Sequence, residues 1–249
     1  YGMWAILDLH WQDNNVKQDA INDAVAKNFW GKVATDFKTT DNVLYDLYNE
    51  PLGSDWNGWK TRAESYINTI KAIDPTAIYI VGGMDWGYDL SQAANNMISP
   101  SVSTNVIYSS HHYPWKSNSF PAPGYSAIIQ KAPVFLGEFG WCNDGCQPCA
   151  GGGSQSFVSG LLSYVKTNVS YAAWNFDTSG CPFMLRSNRT PFTRNSFGDM
   201  VYNDLSKKSL VRYVAGATTK PVAKITVSPS SEGPIPFTVT FDGSGSTGT

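Results

Sequence analysis

The sequence predicts an α/β fold: an incomplete (β/α)8 TIM barrel, followed by a linker and a partial β-sandwich tail. Three observations predict it. Short apolar runs of strand length alternate with stretches of helical periodicity over residues 1–205. The runs are continuously apolar, as expected for a parallel sheet covered on both faces. Reactive or aromatic side chains recur just beyond them, at His10, Glu50, Asp85, His111, Glu138 and Trp174. A barrel gathers such residues at strand ends all round one rim. An open doubly wound sheet shows the same alternation, but collects its ligand at one switch point. A closed barrel needs eight strands, and six such runs are present, so the wall is expected to be incomplete.

Each element follows from local pattern. Trp4–Asp8 reads as a strand. Phe29, Val33 and Phe37 fall at helical spacing, beside Trp30 and Ala34. Val43–Leu47 is a strand. Trp59, Ala63, Tyr66, Ile67, Ile70 and Ile73 mark an amphipathic helix that Asp74-Pro75 stops. Ala77–Val81 and Val106–Ser110 are strands, and Ser126–Lys131 is a weak helix. Val134–Glu138 is a strand, Phe157–Lys166 a helix and Tyr171–Phe176 the last strand. A helical stretch covers Phe197–Leu205.

The composition changes after Ala215. Residues 1–215 form the expected barrel domain and 216–220 a small-residue linker. Residues 221–249 form the tail, in which Pro221–Val227 and Phe237–Phe241 alternate at period two as antiparallel strands would.

Composition narrows the class of function. The 249 residues carry a net charge of −2, so nothing points to nucleic acid or an anionic membrane surface. No apolar run approaches the ~18 residues of a membrane span. The opening stretch from Tyr1 to Leu9 is too short for a signal peptide and has no basic start. It reads as a strand caught mid-domain, with the true N-terminus expected upstream. Charged residues make up 15% and aromatics 14%, with nine Trp. That balance places many rings in loops, where flat faces suit sugars.

The chemistry is concentrated in two strings, Tyr48-Asn49-Glu50-Pro51 and Gly137-Glu138-Phe139-Gly140. Each ends a buried apolar run with a carboxylate, which is costly unless it is paired or used. Two carboxylates facing each other across a barrel mouth are what glycoside hydrolysis requires. Neighbouring carboxyls push their pKa values apart, so that one holds a proton while the other is ionised.

At these residues the chain resembles glycoside hydrolase family 5, the retaining group that includes many cellulases. Asp8-Leu9-His10 is similar to the family's third-strand histidine motif, Asn49-Glu50-Pro51 to the fourth-strand motif, His111-His112-Tyr113 to the sixth-strand H-x-Y motif, and Gly137-Glu138-Phe139-Gly140 to the seventh-strand motif. Trp174 resembles the eighth-strand tryptophan that floors the sugar subsite. The resemblance implies strands 3 to 8 of the barrel, Glu50 as acid/base and Glu138 as nucleophile. It further implies that Asn49 holds the sugar 2-hydroxyl and Tyr113 aims Glu138. His10 and His111 would bind hydroxyls or hold a carboxylate. Trp11, Trp86, Trp115 and Trp141 each follow a strand end and are candidate sugar platforms, although loop packing accounts for any one of them equally well. His112 reads as a packing residue.

The implied activity is that of a retaining endo-β-1,4-glucanase acting on a polysaccharide, with no cofactor and no catalytic metal. A β-mannanase or another β-glycanase is the nearest alternative, and a glycan-binding barrel without activity is the rival from another class. The family's first two strands, with an arginine beside the nucleophile, would precede Tyr1. None of Arg62, Arg186, Arg189, Arg194 and Arg212 matches that arginine. The chain alone is therefore expected to be weakly active or inactive.

Cys142, Cys146 and Cys149 crowd the loop after the nucleophile strand, and Cys181 follows the last strand. Two disulfides are expected, one joining Cys181 to that loop, with a four-thiolate zinc site as the rival. Disulfides and a polymeric substrate both imply a secreted, extracellular protein, expected as a monomer. The tail resembles the start of a PKD-type β-sandwich module.

Overall fold

The computed structural model describes residues 3–12, 21–141, 154–165, 169–187, 191–208, 226–228 and 240–242. The chain divides into two units, Ala5–Leu210 and a second made of Tyr1–Trp4 with Val211–Thr249.

The larger unit is built on six strands: β1 (Ala5–Asp8), β2 (Val43–Asp46), β3 (Ile78–Gly82), β4 (Val106–His112), β5 (Val134–Phe139) and β6 (Ser170–Tyr171). They pair in chain order, and every pairing is parallel. An order without reversal has no switch point, which sets aside the doubly wound alternative. The sheet curls into part of a barrel wall. Its curl brings His10, just past β1, to Trp174, just past β6, with ring centroids 5.6 Å apart.

Helices cover the outside of the wall. The helix α1 (Asp23–Phe37) starts at Asn22, whose side chain accepts from the backbone N–H of Ala24 and Val25. The helix α2 (Trp56–Lys71) starts at Asp55, which accepts from the Gly58 N–H. It buries Trp59, Ala63, Tyr66, Ile67 and Ile70 of the stripe that the periodicity predicts, together with Trp56, whereas Ile73 lies beyond its end and is partly buried. Three of the Trp belong to this layer rather than to loops. Trp30, Trp56 and Trp59 are buried and donate their indole N–H to the carbonyls of Leu47, Asn96 and Gly82 at 3.3, 2.7 and 3.0 Å. A buried indole needs such a partner.

The remaining elements of this unit are α3 (Met84–Gly87), α4 (Ser91–Asn95), α5 (Tyr125–Ile128), α6 (Gln155–Val165), the two-stranded β7 (Leu185–Ser187) and β8 (Thr193–Arg194), and α7 (Ser196–Leu205). Four of these, α3, α4, β7 and β8, are too short to show a period and do not appear in the sequence pattern. The last predicted strand is shorter than expected, ending at Tyr171. The chain beyond it still follows β5, since the N–H groups of Ala172 and Trp174 donate to Leu136 and Phe139.

One irregularity matters for the site. The β4–β5 register shifts between Ser110 and His111, so that Ser110 pairs with Leu136 but His111 with Glu138. A bulge re-aims side chains at a strand end, and this one sets His111 beside Glu138. Gly137 is the residue skipped. A Cβ there would press into Ser109 Oγ and come within 2.8 Å of His111 Nε2.

In the smaller unit β9 (Thr226–Ser228) and β10 (Thr240–Asp242) pair antiparallel, with Phe241 opposite Val227. Each overlaps one of the two runs predicted as strands and extends one residue past its end. The linker 216–220 and most of the tail lie outside the described residues, as do Arg189 and Arg212.

Candidate active site

The strand ends of the larger unit open into a cleft of about 520 Å³. It is lined by His10, Trp11, Asn49, Glu50, Trp86, Tyr113, Trp115, Lys116, Glu138, Trp174 and Cys181. Of the sugar platforms predicted, Trp11, Trp86, Trp115 and Trp174 line it. Trp141 does not. It is half-buried and packs against the hydrophobic core, directly after the buried Phe139 and Gly140. His112 is buried as expected, with its Nε2 bonded to the Ser117 carbonyl at 3.1 Å and its ring against Tyr88, Phe120 and Phe157.

Glu50 and Glu138 meet at His111. The imidazole Nδ1–H donates to Glu50 Oε1 at 2.9 Å and stands 3.6 Å from Glu138 Oε2. One oxygen of each carboxylate and a ring nitrogen of His111 all lie within 4.8 Å of one another. His111 is 2% exposed. Its ring is backed by Gly87, where φ is +71° and a Cβ would come within 3.0 Å of the imidazole. Tyr113 Oη donates to Glu138 Oε2 at 2.6 Å, a short charge-assisted bond. Burial, and then Glu138 and Glu50, push the Tyr113 phenol well above its usual range, which keeps it a donor.

A second chain of bonds enters from β1. His10 Nδ1 donates to Asp8 Oδ2 at 2.6 Å, which leaves Nε2 free to accept from Asn49 Nδ2 at 3.4 Å. Asn49 is thereby held beside Glu50 with its side chain nearly buried. The sequence pattern assigns Asp8 no role; its place two residues before His10, at the end of β1, is the signal that points to it.

The electrostatics follow from burial and crowding. Burial raises the Glu138 carboxyl; His111 opposes this, Glu50 adds to it, and the Tyr113 bond and His10 again oppose it. The net direction is upward. For His111 burial pulls downward, but Glu138, the Glu50 bond and charge, and Asp8 outweigh it, so the imidazole is raised. His10 is raised chiefly by its bond to Asp8. Beneath them Asp46 is pushed well above the carboxylate range by burial, and then by Asp8 and Glu138.

Trp86 reaches the cleft on an unusual turn. Asp85, Trp86 and Gly87 take successive left-handed conformations, with φ of 55°, 64° and 71°. Non-glycine residues in that region cost about 1–3 kcal/mol each and persist where their surroundings hold them. Here the N–H groups of Asp85 and Trp86 donate to Gly53 and Pro51, just after Glu50, and Lys116 Nζ donates to Asp85 Oδ1 at 2.9 Å. The Asp85–Lys116 pair joins two cleft loops, and sequence spacing did not reveal it.

Glu50, His111 and Glu138 form a metal-ligand grouping found among the described residues. The His111 Nδ1 is already bonded to Glu50. Cys181 is disulfide-bonded. Cys142, Cys146 and Cys149 lie outside the described residues, and so does the choice between their pairings and a zinc site.

Carboxylates at the ends of β2 and β5, a tyrosine aimed at one of them and aromatic rings around the cleft define a glycosidase-type barrel site. The family model for cellulase, glycosyl hydrolase family 5, matches residues 1–180. The chain belongs to this family. It is 30% identical over 185 residues to endoglucanase CelA of Streptomyces lividans, covering 70% of this chain and 38% of that protein. It is also 30% identical over 176 residues to endoglucanase Z of Dickeya dadantii, covering 69% and 38%. The chain thus spans less than half the length of these curated relatives. Among solved structures, the β-glucanase SdGluc5_26A of Saccharophagus degradans superposes with a TM-score of 0.71 at 26% identity, covering 84% of this chain and 69% of that one. The catalytic domain of Thermobifida fusca endoglucanase Cel5A shares the fold with a TM-score of 0.64 at 22% identity, covering 83% and 70%.

Proposed function

We propose that this chain carries the catalytic pair of a retaining endo-β-1,4-glucanase. The observation that supports the reading most is the spacing of Glu50 and Glu138. One carboxylate oxygen of Glu50 lies within 4.8 Å of one of Glu138. Retaining enzymes hold their carboxyls ~5–5.5 Å apart, whereas inverting enzymes leave ~6.5–9.5 Å for a water. In the reading proposed, Glu138 attacks the anomeric carbon and forms a glycosyl ester while Glu50 protonates the leaving oxygen. Glu50 then takes a proton from the water that releases the sugar. Tyr113 aims the attacking carboxylate, and Asn49 stands where the 2-hydroxyl would come. The substrate reading draws on the endoglucanase names of the relatives and on the Saccharophagus β-glucanase, which was solved in complex with cellotetraose.

Secretion is part of the proposal, supported by the disulfide at Cys181. So is a PKD-like module at 221–249, supported by the antiparallel pairing of β9 with β10.

The test is hydrolysis of a soluble β-1,4-glucan and of cello-oligosaccharides, with the anomer of the first product followed by proton NMR. Retention, with loss of turnover in both Glu138→Ala and Glu50→Ala, supports the reading. Initial release of the inverted anomer refutes the mechanism. Tight glucan binding that is the same in the chain and in Glu138→Ala, without turnover in either, would make this a binding protein. Faster cleavage of mannan than glucan would move the substrate to mannan.

A further inference from the structure

Trp115 lines the cleft, yet it does something other than wait for a sugar. The turn that carries it begins at Tyr113, where the Lys116 and Ser117 N–H groups donate to the Tyr113 carbonyl at 3.0 and 3.3 Å. Pro114 presets the first corner of that turn. Both flanks are tied down: His112 donates to the Ser117 carbonyl, and Lys116 pairs with Asp85 on the neighbouring loop. So held, the turn folds the indole of Trp115 flat onto the ring of Tyr113, with centroids 4.4 Å apart and planes 9° from parallel. Tyr113 is 6% exposed and Trp115 37%, so the indole commits one face to the tyrosine and keeps the rest toward the cleft.

We infer that Trp115 is a positioning residue for Glu138, holding the Tyr113 ring in the plane from which its hydroxyl reaches the carboxylate. A phenol ring free to tilt sweeps its hydroxyl through an arc, and a 2.6 Å bond weakens steeply with distance and angle. A ring clamped between the protein and a flat indole cannot tilt. The inference rests on the proposed role of Glu138 as nucleophile, but the contact it describes does not.

The test uses the full chain with 13C-labelled glutamate carboxyls, titrated by NMR, the Glu138 signal being assigned by its loss in Glu138→Gln. The groups acting on that carboxyl are His111, Glu50, Tyr113 and His10, with Asp46 also interacting electrostatically. Tyr113→Phe removes a bond to the charged form, so its Glu138 midpoint rises. Trp115→Ala is expected to move the midpoint in the same direction by part of that amount, to add nothing in the Tyr113→Phe background, and to be largely rescued by Trp115→Phe. In turnover it lowers kcat by a factor of about three to ten with a smaller change in KM.

A midpoint that stays put or falls in Trp115→Ala, shifts that add in the double variant, or a change confined to KM would overturn the inference and leave Trp115 a sugar platform. Should Trp115→Ala melt near working temperature, Trp115→Leu keeps the bulk without the flat face, and the same titration decides. If Glu138→Gln retains turnover, the nucleophile assignment fails while the Trp115–Tyr113–Glu138 coupling is still read directly from the titration.

Discussion

His10 and Trp174 lie face to face, 5.6 Å between ring centroids and 13° from parallel, although they follow the first and last strands of the six-stranded sheet. Only a curled wall brings those two positions together. Their rings meet at the cleft, with the Asp8 carboxylate holding His10 from behind. Replacing Trp174 by Ala is expected to weaken binding of cellotetraose by a factor of about three to ten, the contribution of one aromatic contact, while Trp174→Phe loses less. Calorimetry in a Glu138→Gln background checks this; unchanged affinity would show that the ring serves the wall alone.

His111 serves both carboxylates, so its removal is expected to act on both. His111→Ala deletes the bond to Glu50 and the opposing charge that restrains the upward shift of Glu138. The Glu138 carboxyl then rises further. The acidic limb of the pH–rate profile, below which Glu138, the proposed nucleophile, is protonated, moves to higher pH. Loss of a charge-assisted bond of this kind corresponds to a fall in kcat on the order of tenfold to a hundredfold. A profile whose acidic limb stays in place would separate His111 from Glu138.

Three buried groups of the site make stability fall as pH rises. Asp46, Glu138 and His111 are all raised in the folded chain. The folded state therefore binds protons more tightly than the unfolded one, and unfolding is favoured as pH increases. For the two carboxyls the loss begins above the unfolded value near ~4 and is complete above the folded value; for His111 it begins above ~6.5. Thermal melts from pH 4 to pH 8 check the slope. Asp46→Asn removes the more deeply buried of the two carboxyl charges. It is expected to flatten that dependence and to melt several degrees above the parent at neutral pH. A melt below the parent would show that Asp46 has a partner that matters when ionised.

Gly137→Ala tests the bulge. The added methyl would press on Ser109 and His111. The expected cost is about 1–3 kcal/mol of stability, the usual range for overpacking, together with loss of activity as His111 is displaced. Urea unfolding and a glucan assay on the same protein check both. Retention of both would mean that the strands re-register without harm.

Much of this was legible in the sequence because it is local. Continuous apolar runs marked the buried parallel strands, and the spacing of Trp59, Ala63, Tyr66 and Ile70 marked the buried face of α2. The motifs around Asn49-Glu50-Pro51 and Gly137-Glu138-Phe139-Gly140 placed one carboxylate at each of two strand ends, and parallel strands put their ends on one rim. What the sequence could not show depends on pairs distant in the chain. Trp141 stands as near to a strand end as the cleft rings do, but nearness does not say whether a ring meets the cleft or the core. Trp115 was placed at the cleft correctly, and only the tertiary structure shows its face committed to Tyr113. The left-handed turn at Asp85 and Trp86 is held by carbonyls of Pro51 and Gly53, which no local pattern announces. The sequence by itself determined which side chains could do the chemistry. The tertiary structure decided their aim, because a one-residue shift between Ser110 and His111 is a property of two strands together and of neither alone.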